Sequence, residues 1–209
     1  MRFTRAALVG AALITVTLTA CAPPGQDGAP GVAATYEDVT VTNANIDQIY
    51  QAWLDDTKGT DVANRRQILT IELLKEDLLA KCKELGYPVT WSLAESQADQ
   101  WIAFKGQQGE PSDDMIAATQ GILALYVVVN VDPTFETLTE ISDKVEAEAD
   151  VSPRSGDYST STLIASVQAA MQSAENQQLG TQFSFVEYQN VNAFADTERP
   201  WFDRGTSAS

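Results

Sequence analysis

Two acidic pairs, Asp55-Asp56 and Asp113-Asp114, and one cysteine between lysines, Lys81-Cys82-Lys83, are the side chains of this 209-residue sequence whose types and spacing could do chemistry. Two carboxylates can divide acid and base work when their surroundings pull their pKa values apart. Here each pair is adjacent in sequence, one at a helix end and one at a helix start, where capping and solvation account for it. The run from Asp55 to Asp61 has the look of a calcium loop. Counted from Asp55, however, the position that such loops give to glycine holds Thr60, and the one that needs a bidentate glutamate holds Arg66. Flanking ammonium groups can lower a thiol pKa, yet Cys82 falls on an apolar helical stripe, where cysteine behaves as a small inert hydrophobe. The sequence contains no histidine, which removes Ser/His and Cys/His nucleophile pairs, histidine bases and histidine-containing zinc sites together. Glycine patterns of phosphate loops, dinucleotide folds and nucleophile elbows are missing too. The expectation is a protein without enzymatic activity, catalytic residues, metal or cofactor.

Charge narrows the partners. With 13 Lys and Arg against 29 Asp and Glu, the net charge is −16, a field that repels phosphate backbones, so nucleic acid is not an expected partner. The first 21 residues state an address. Arg2 and Arg5 precede an uncharged stretch from Ala6 to Ala20, shorter than the roughly 20 residues a spanning helix needs, which is the layout of a signal peptide. Leu18-Thr19-Ala20-Cys21 resembles the lipobox of bacterial lipoproteins, in which the cysteine thiol is joined to diacylglycerol and becomes the new N-terminus. That resemblance implies acylation at Cys21 and a lipid-anchored protein on the outer face of the cell membrane. Each buried CH₂ adds about 0.8 kcal/mol, so two or more acyl chains hold where one does not. The open alternative is an ordinary secretory peptide in which Cys21 is incidental. Loss of Met1 to Ala20 takes two arginines and no acid, so the charge of −16 becomes −18. Cys82 would then have no cysteine partner.

The elements follow from punctuation and period. Ala22 to Ala34 is rich in Pro and Gly and reads as a flexible spacer. Thr35 to Val41 alternates as a short strand. Ile46, Ile49, Tyr50, Trp53 and Leu54 then recur at helical spacing after Thr42 or Asn43 as cap. A long helix opens at Thr60 or Asp61 and runs to Leu85 with Ile68, Ile71, Leu74, Leu78 and Cys82 on its stripe. Gly86 and Pro88 stop it. Ser92-Leu93-Ala94-Glu95 matches a capping box for a helix to about Lys105. Ser112 starts the next, whose Met115, Thr119, Ile122, Tyr126 and Val129 make it the most buried, although Val127 to Val131 also suits a strand. Asp132-Pro133 supplies cap and first turn for a helix to about Asp150. Ser161 to Gln178 forms a weaker amphipathic helix with Leu163, Ile164, Val167, Met171 and Ala174 on one side.

Aromatic residues remain as candidates for binding. Trp53, Trp91, Trp101, Tyr87 and Tyr126 could line a groove for apolar segments. Trp53 and Tyr126 lie on regular stripes and read as core, which leaves Trp91 and Trp101 as the candidate peptide-binding residues.

Three segments resemble a known family: Glu37 to Tyr50, where a strand runs into Thr-Asn-Ala-Asn-Ile; Arg65 to Val89, a Leu-rich helix ending Glu-Leu-Gly-Tyr-Pro-Val-Thr; and Asp150-Val-Ser-Pro-Arg-Ser-Gly-Asp157. Together they are similar to the SurA N-terminal-domain-like lipoproteins of high-GC Gram-positive bacteria. The resemblance implies that the strand before the first helix, Val39 to Val41, pairs with Asp150 to Pro153 and closes a helical module end to end. The family usually has Asn before the Pro and an aromatic after the Arg, where this chain has Ser152 and Ser155. The roughly 50 residues after Gly156 leave no room for the parvulin-type isomerase domain of SurA proteins, so the resemblance implies binding without that chemistry.

The expected fold is therefore mainly α, a SurA-N-like helical module with one short two-stranded β pairing closing its ends. Residues 1–20 are its signal peptide, 21–34 the acylated cysteine and linker, 35–160 the helical domain, and 161–209 an amphipathic helix and partly disordered tail. The expected function is chaperone-like, non-catalytic binding of apolar segments of exported polypeptides. The alternatives are a small-molecule or lipid-binding lipoprotein and a structural component of an envelope complex.

Overall fold

A computed structural model describes residues 31–58, 65–155 and 158–176. Cys21, the signal-peptide stretch, the expected opening of the long helix at Thr60 or Asp61 and the chain after Asn176 lie outside the described residues. The protein is mainly helical, with six helices and a small antiparallel sheet among the described residues. Strands β1 (Val32–Tyr36) and β2 (Val39–Thr42) form a hairpin, followed by α1 (Asn43–Thr57), α2 (Arg65–Glu84), α3 (Trp91–Phe104), α4 (Asp113–Val131) and α5 (Glu136–Glu148). Strand β3 (Asp150–Val151) and α6 (Thr160–Asn176) complete it.

The sheet order is β2-β1-β3. This corrects the expected pairing: Asp150 and Val151 lie opposite Thr35 and Ala34 of β1, and β2 pairs with β1 instead. The strand takes Val32, Ala33 and Ala34 from the stretch whose Pro/Gly composition reads as spacer. Ala33 and Ala34 are buried, because β1 is the middle strand and the sheet packs on α2. Beyond the ladder, Ser152 N–H donates to the Ala33 carbonyl at 2.9 Å and Asn43 N–H to that of Gly31 at 2.8 Å. The sheet thus joins the two ends of the helical body. The hairpin turns through Glu37 at φ 48°, a left-handed backbone uncommon for glutamate.

Caps set most helix starts. Thr42 and Asn45 exchange the two bonds of a capping box at α1, and Ser112 Oγ accepts from Met115 N–H at α4. At α3 the cap is Thr90, whose hydroxyl accepts from Leu93 N–H at 3.2 Å, so the helix begins ahead of the Ser92 box. Helix α5 begins at Glu136, later than Asp132-Pro133 suggests, because Phe135 adopts φ 65°. Asp132 still serves that start: its carboxylate accepts from Thr134 N–H at 3.1 Å and Thr137 N–H at 2.7 Å. The Thr134 hydroxyl, which donates to the same carboxylate, and then the Thr137 N–H hold its carboxyl down at about 2.

Helix α4 is the shared centre. It packs most extensively against α2 and also meets α1, α3 and α5. By length and a mean hydropathy of 1.5 it could cross a membrane, but 56% of that apolar stretch is buried inside the fold. Val127 to Val131 stays helical despite its β-branched residues, and the Asp132 N–H closes the last turn on the Val128 carbonyl at 3.0 Å. Gly121 marks a close approach of α2, where a Cβ would stand 2.6 Å from Ile71 Cγ2. Helix α6 lies on α5 with Leu163 and Val167 buried.

Candidate functional site

The acidic pairs and Cys82 occupy structural positions. Asp56 Oδ2 accepts from the Ser112 N–H at 2.9 Å and hydroxyl at 2.7 Å, tethering α1 to the start of α4. Asp114 Oδ2 accepts from Gln48 Nε2 at 2.8 Å, and Asp113 and Asp114 sit in the first turn of α4, where the helix dipole favours negative charge. Cys82 is fully buried and its thiol donates to the Ala124 carbonyl at 3.4 Å. Burial pushes that thiol up to about 11, so it is not a thiolate nucleophile at neutral pH. Among the described residues no group of three or more His, Cys, Asp or Glu could hold a metal ion.

A second polar cluster joins the hairpin to two helices. Tyr36 Oη donates to Asp77 Oδ2 at 2.6 Å, and Lys144 Nζ reaches Glu37 Oε1 at 2.7 Å and Asp77 Oδ2 at 3.5 Å. Burial first, and then the hydrogen bond to Asp77, push the Tyr36 phenol up to about 12. The bond to Glu37 holds the Lys144 amine above its ordinary value. Both groups keep their protons near neutral pH, which suits a tie between β1, α2 and α5 and not proton transfer.

The α2–α3 corner and α3 itself differ in kind. Helix α2 ends in a Schellman motif: Gly86 takes φ 83°, its N–H donates to the Lys83 carbonyl at 3.2 Å, and the Tyr87 N–H donates to Cys82 at 2.8 Å. The chain then buries Val89, whose carbonyl accepts from Gln120 Nε2 at 3.0 Å. Ala94, Ala98, Trp101 and Ile102, at spacings of three and four, form the inner face of α3 and pack it on α4. On either side of that anchoring, Tyr87 is 59% exposed, Trp91 44%, Leu93 49% and Phe104 55%. Val131 is the fifth exposed large hydrophobic among the described residues.

The two expected groove residues are therefore separated. Trp91 stands on the surface at the start of α3. Trp101 is 3% exposed and meets Trp53 edge to face, with ring centroids 6.3 Å apart and planes at 72°, so it is core and lines no groove. Trp53 is core as its stripe suggests, and Tyr126 is half-buried. Leu93 and Phe104 join the exposed set without having been singled out. Their signal was present in the spacing, since both fall off the Ala94-Ala98-Trp101 stripe that Trp101 belongs to. Lys105 lies over the rings of Trp101 and Phe104 at 5.9 and 5.6 Å, and burial lowers its pKa.

No protein-family model, curated protein or solved structure matches this chain.

Proposed function

We propose that this chain is a surface-tethered, mainly helical binding module that engages apolar segments of exported polypeptides, like a chaperone that uses neither nucleotide nor metal. The observation that carries this reading is the set Tyr87, Trp91, Leu93 and Phe104, four large apolar side chains exposed along one corner and one helix. Contiguous apolar surface marks interaction sites, and Leu93 and Phe104, eleven residues apart, fall on one side of α3. Support also comes from the sequence resemblance to SurA N-terminal-domain-like lipoproteins, and from Leu18 to Cys21 as a signal for a lipid anchor.

The test mixes the purified chain with an aggregating unfolded client. Suppression at several-fold excess, reduced in a Trp91→Ser/Leu93→Ser variant, is the expected result. No suppression, together with no binding to an array of unfolded peptides, defeats the proposal. The anchor is tested separately: Cys21→Ala should release the protein from membranes, and unchanged retention defeats that part. A soluble form must keep Gly31, because a cut at Ala34 removes Val32 and Ala33 from β1.

A further inference from the structure

Glu72 is an acid placed inside the helical body. It stands in the middle of α2, and its Oε1 is shut off from water with no hydrogen-bond partner. Lys75, one turn on along the same helix, brings Nζ to 3.6 Å from that oxygen, beyond hydrogen-bond range. Both side chains are mostly buried. The Lys75 stem runs close over α4, where a Cβ on Gly121 would stand 3.5 Å from its Cγ and 3.6 Å from its Cδ. The ammonium is thus carried on a stem packed between two helices.

Across the same helix pair, Asp114 in the first turn of α4 repels the Glu72 charge. Helix α1 reaches Asp114 through the neutral Gln48, whose Nε2 donates at 2.8 Å. The charged groups that act on Glu72 are therefore one ammonium on its own helix and one carboxylate on the facing one. A carboxylate buried with an oxygen unpaired is costly in its charged form, and a proton removes that cost. Burial, the largest influence, raises the Glu72 carboxyl above its ordinary value, and Lys75 only partly opposes it.

We infer that Glu72 makes the packing of α2 on α4 proton-sensitive, so that mild acid tightens the centre of the fold. This response is separate from the binding function proposed above. A carboxyl that holds its proton more readily folded than unfolded adds stability as pH falls through its folded value towards the ordinary 4.5, and that stability is lost as pH rises again. Asp132 and Glu146, held below their ordinary values, respond to acid in the opposite direction.

The experiment compares urea unfolding of the full-length chain and of Glu72→Gln at about pH 7 and about pH 5, on either side of a raised carboxyl. Glutamine keeps the shape and removes the titration, so any fixed cost of disturbing Lys75 enters equally at both pH values. The wild type should gain on the variant as pH falls, by up to about tenfold in the unfolding equilibrium for each unit by which its carboxyl is raised. An unchanged gap overturns the inference. So does a wild type that loses on the variant in acid, as a net favourable ion pair with Lys75 requires. If Glu72→Gln does not fold, a carboxyl-carbon NMR titration of the wild-type chain reads the same group. A Glu72 midpoint above 4.5 is the expected result, and one at or below 4.5 overturns the inference.

Discussion

Helices α3 and α5 are of similar length, 14 and 13 residues, and both lie against α4, but their outer sides are treated in opposite ways. Helix α5 is covered. Lys144 ties it to Glu37 and Asp77, and buried Ser142 shares its hydroxyl with Tyr158 Oη at 2.7 Å and Thr160 Oγ1 at 2.9 Å. The Glu146 carboxylate accepts from Thr160 N–H at 2.7 Å, and α6 lays Leu163 and Val167 against it. Helix α3 keeps its inner stripe on α4 and shows Trp91, Leu93 and Phe104 to solvent. The difference teaches where this fold spends its ties: polar and apolar contacts converge on α5, which the hairpin and α6 flank, and α3 is left with three large apolar side chains exposed. An apolar exterior that the fold does not cover is available for burial by a partner.

The comparison breaks most sharply on one residue type placed on both helices. Leu138 on α5 is fully buried, so Leu138→Ala should cost about 2–5 kcal/mol through lost burial and the cavity left behind. Urea unfolding measures it, and a loss under about 1 kcal/mol would mean that α5 is not the covered helix described above.

Next in size is Ser142→Ala. It removes the shared partner of Tyr158 and Thr160 and should cost about 1–2 kcal/mol, with the loss concentrated in faster hydrogen exchange of α6 amides. An α6 exchange pattern indistinguishable from wild type would show that the hydroxyl junction does not hold that helix.

Acid separates the helices by the chemistry of their caps. Asp132 serves the start of α5 and Glu146 that of α6, and hydrogen bonds hold both carboxyls below their ordinary values, Asp132 at about 2. A depressed folded pKa contributes stability that is present above the ordinary value and is lost as pH falls through the folded one. Between about pH 4 and 2, protection of the Thr137 and Thr160 amides should therefore fall. The Leu93 amide, capped by the Thr90 hydroxyl, has no such titration. Equal acid sensitivity of all three amides would remove the distinction.

The sequence made these regions legible to different degrees. Helices α2 and α4 could be read from their stripes, and the α2 stop from Gly86, because local signals and tertiary packing agree there. Strand β1 could not. Its Val-Ala-Ala-Thr-Tyr run follows a Pro/Gly-rich stretch, alanine carries little strand preference, and its burial comes from α2 and two flanking strands that lie far away in sequence. The family resemblance implied β2 as the partner of the Asp150 segment, and β1 takes that place. The start of α5 was misplaced because Asp132 holds both the turn beside it, through Thr134, and the helix beyond the left-handed Phe135, through Thr137. At the candidate site, the period that buries Trp101 also frees Leu93 and Phe104, so those exposures were readable from spacing. Trp91 stands at the first position of α3, ahead of the buried stripe that begins at Ala94, and is exposed.

The smallest expected effect tests the bare side directly. Leu93→Ala should change stability by no more than about 0.5 kcal/mol, because the side chain is already half in water and its removal opens no cavity. Set beside Leu138→Ala, the same truncation then differs several-fold, the contrast between a fully buried leucine and one half in water. A loss above about 1.5 kcal/mol, near the full burial of a leucine, would mean that Leu93 is covered in solution by another part of the protein or a second copy. A concentration series would divide those cases, since cover by a second copy weakens on dilution and cover from within the chain does not. Either outcome would remove the free apolar exterior on which client binding at α3 depends. A negligible loss, joined to weakened client binding in the same variant, would place the contribution of Leu93 in recognition and not in folding.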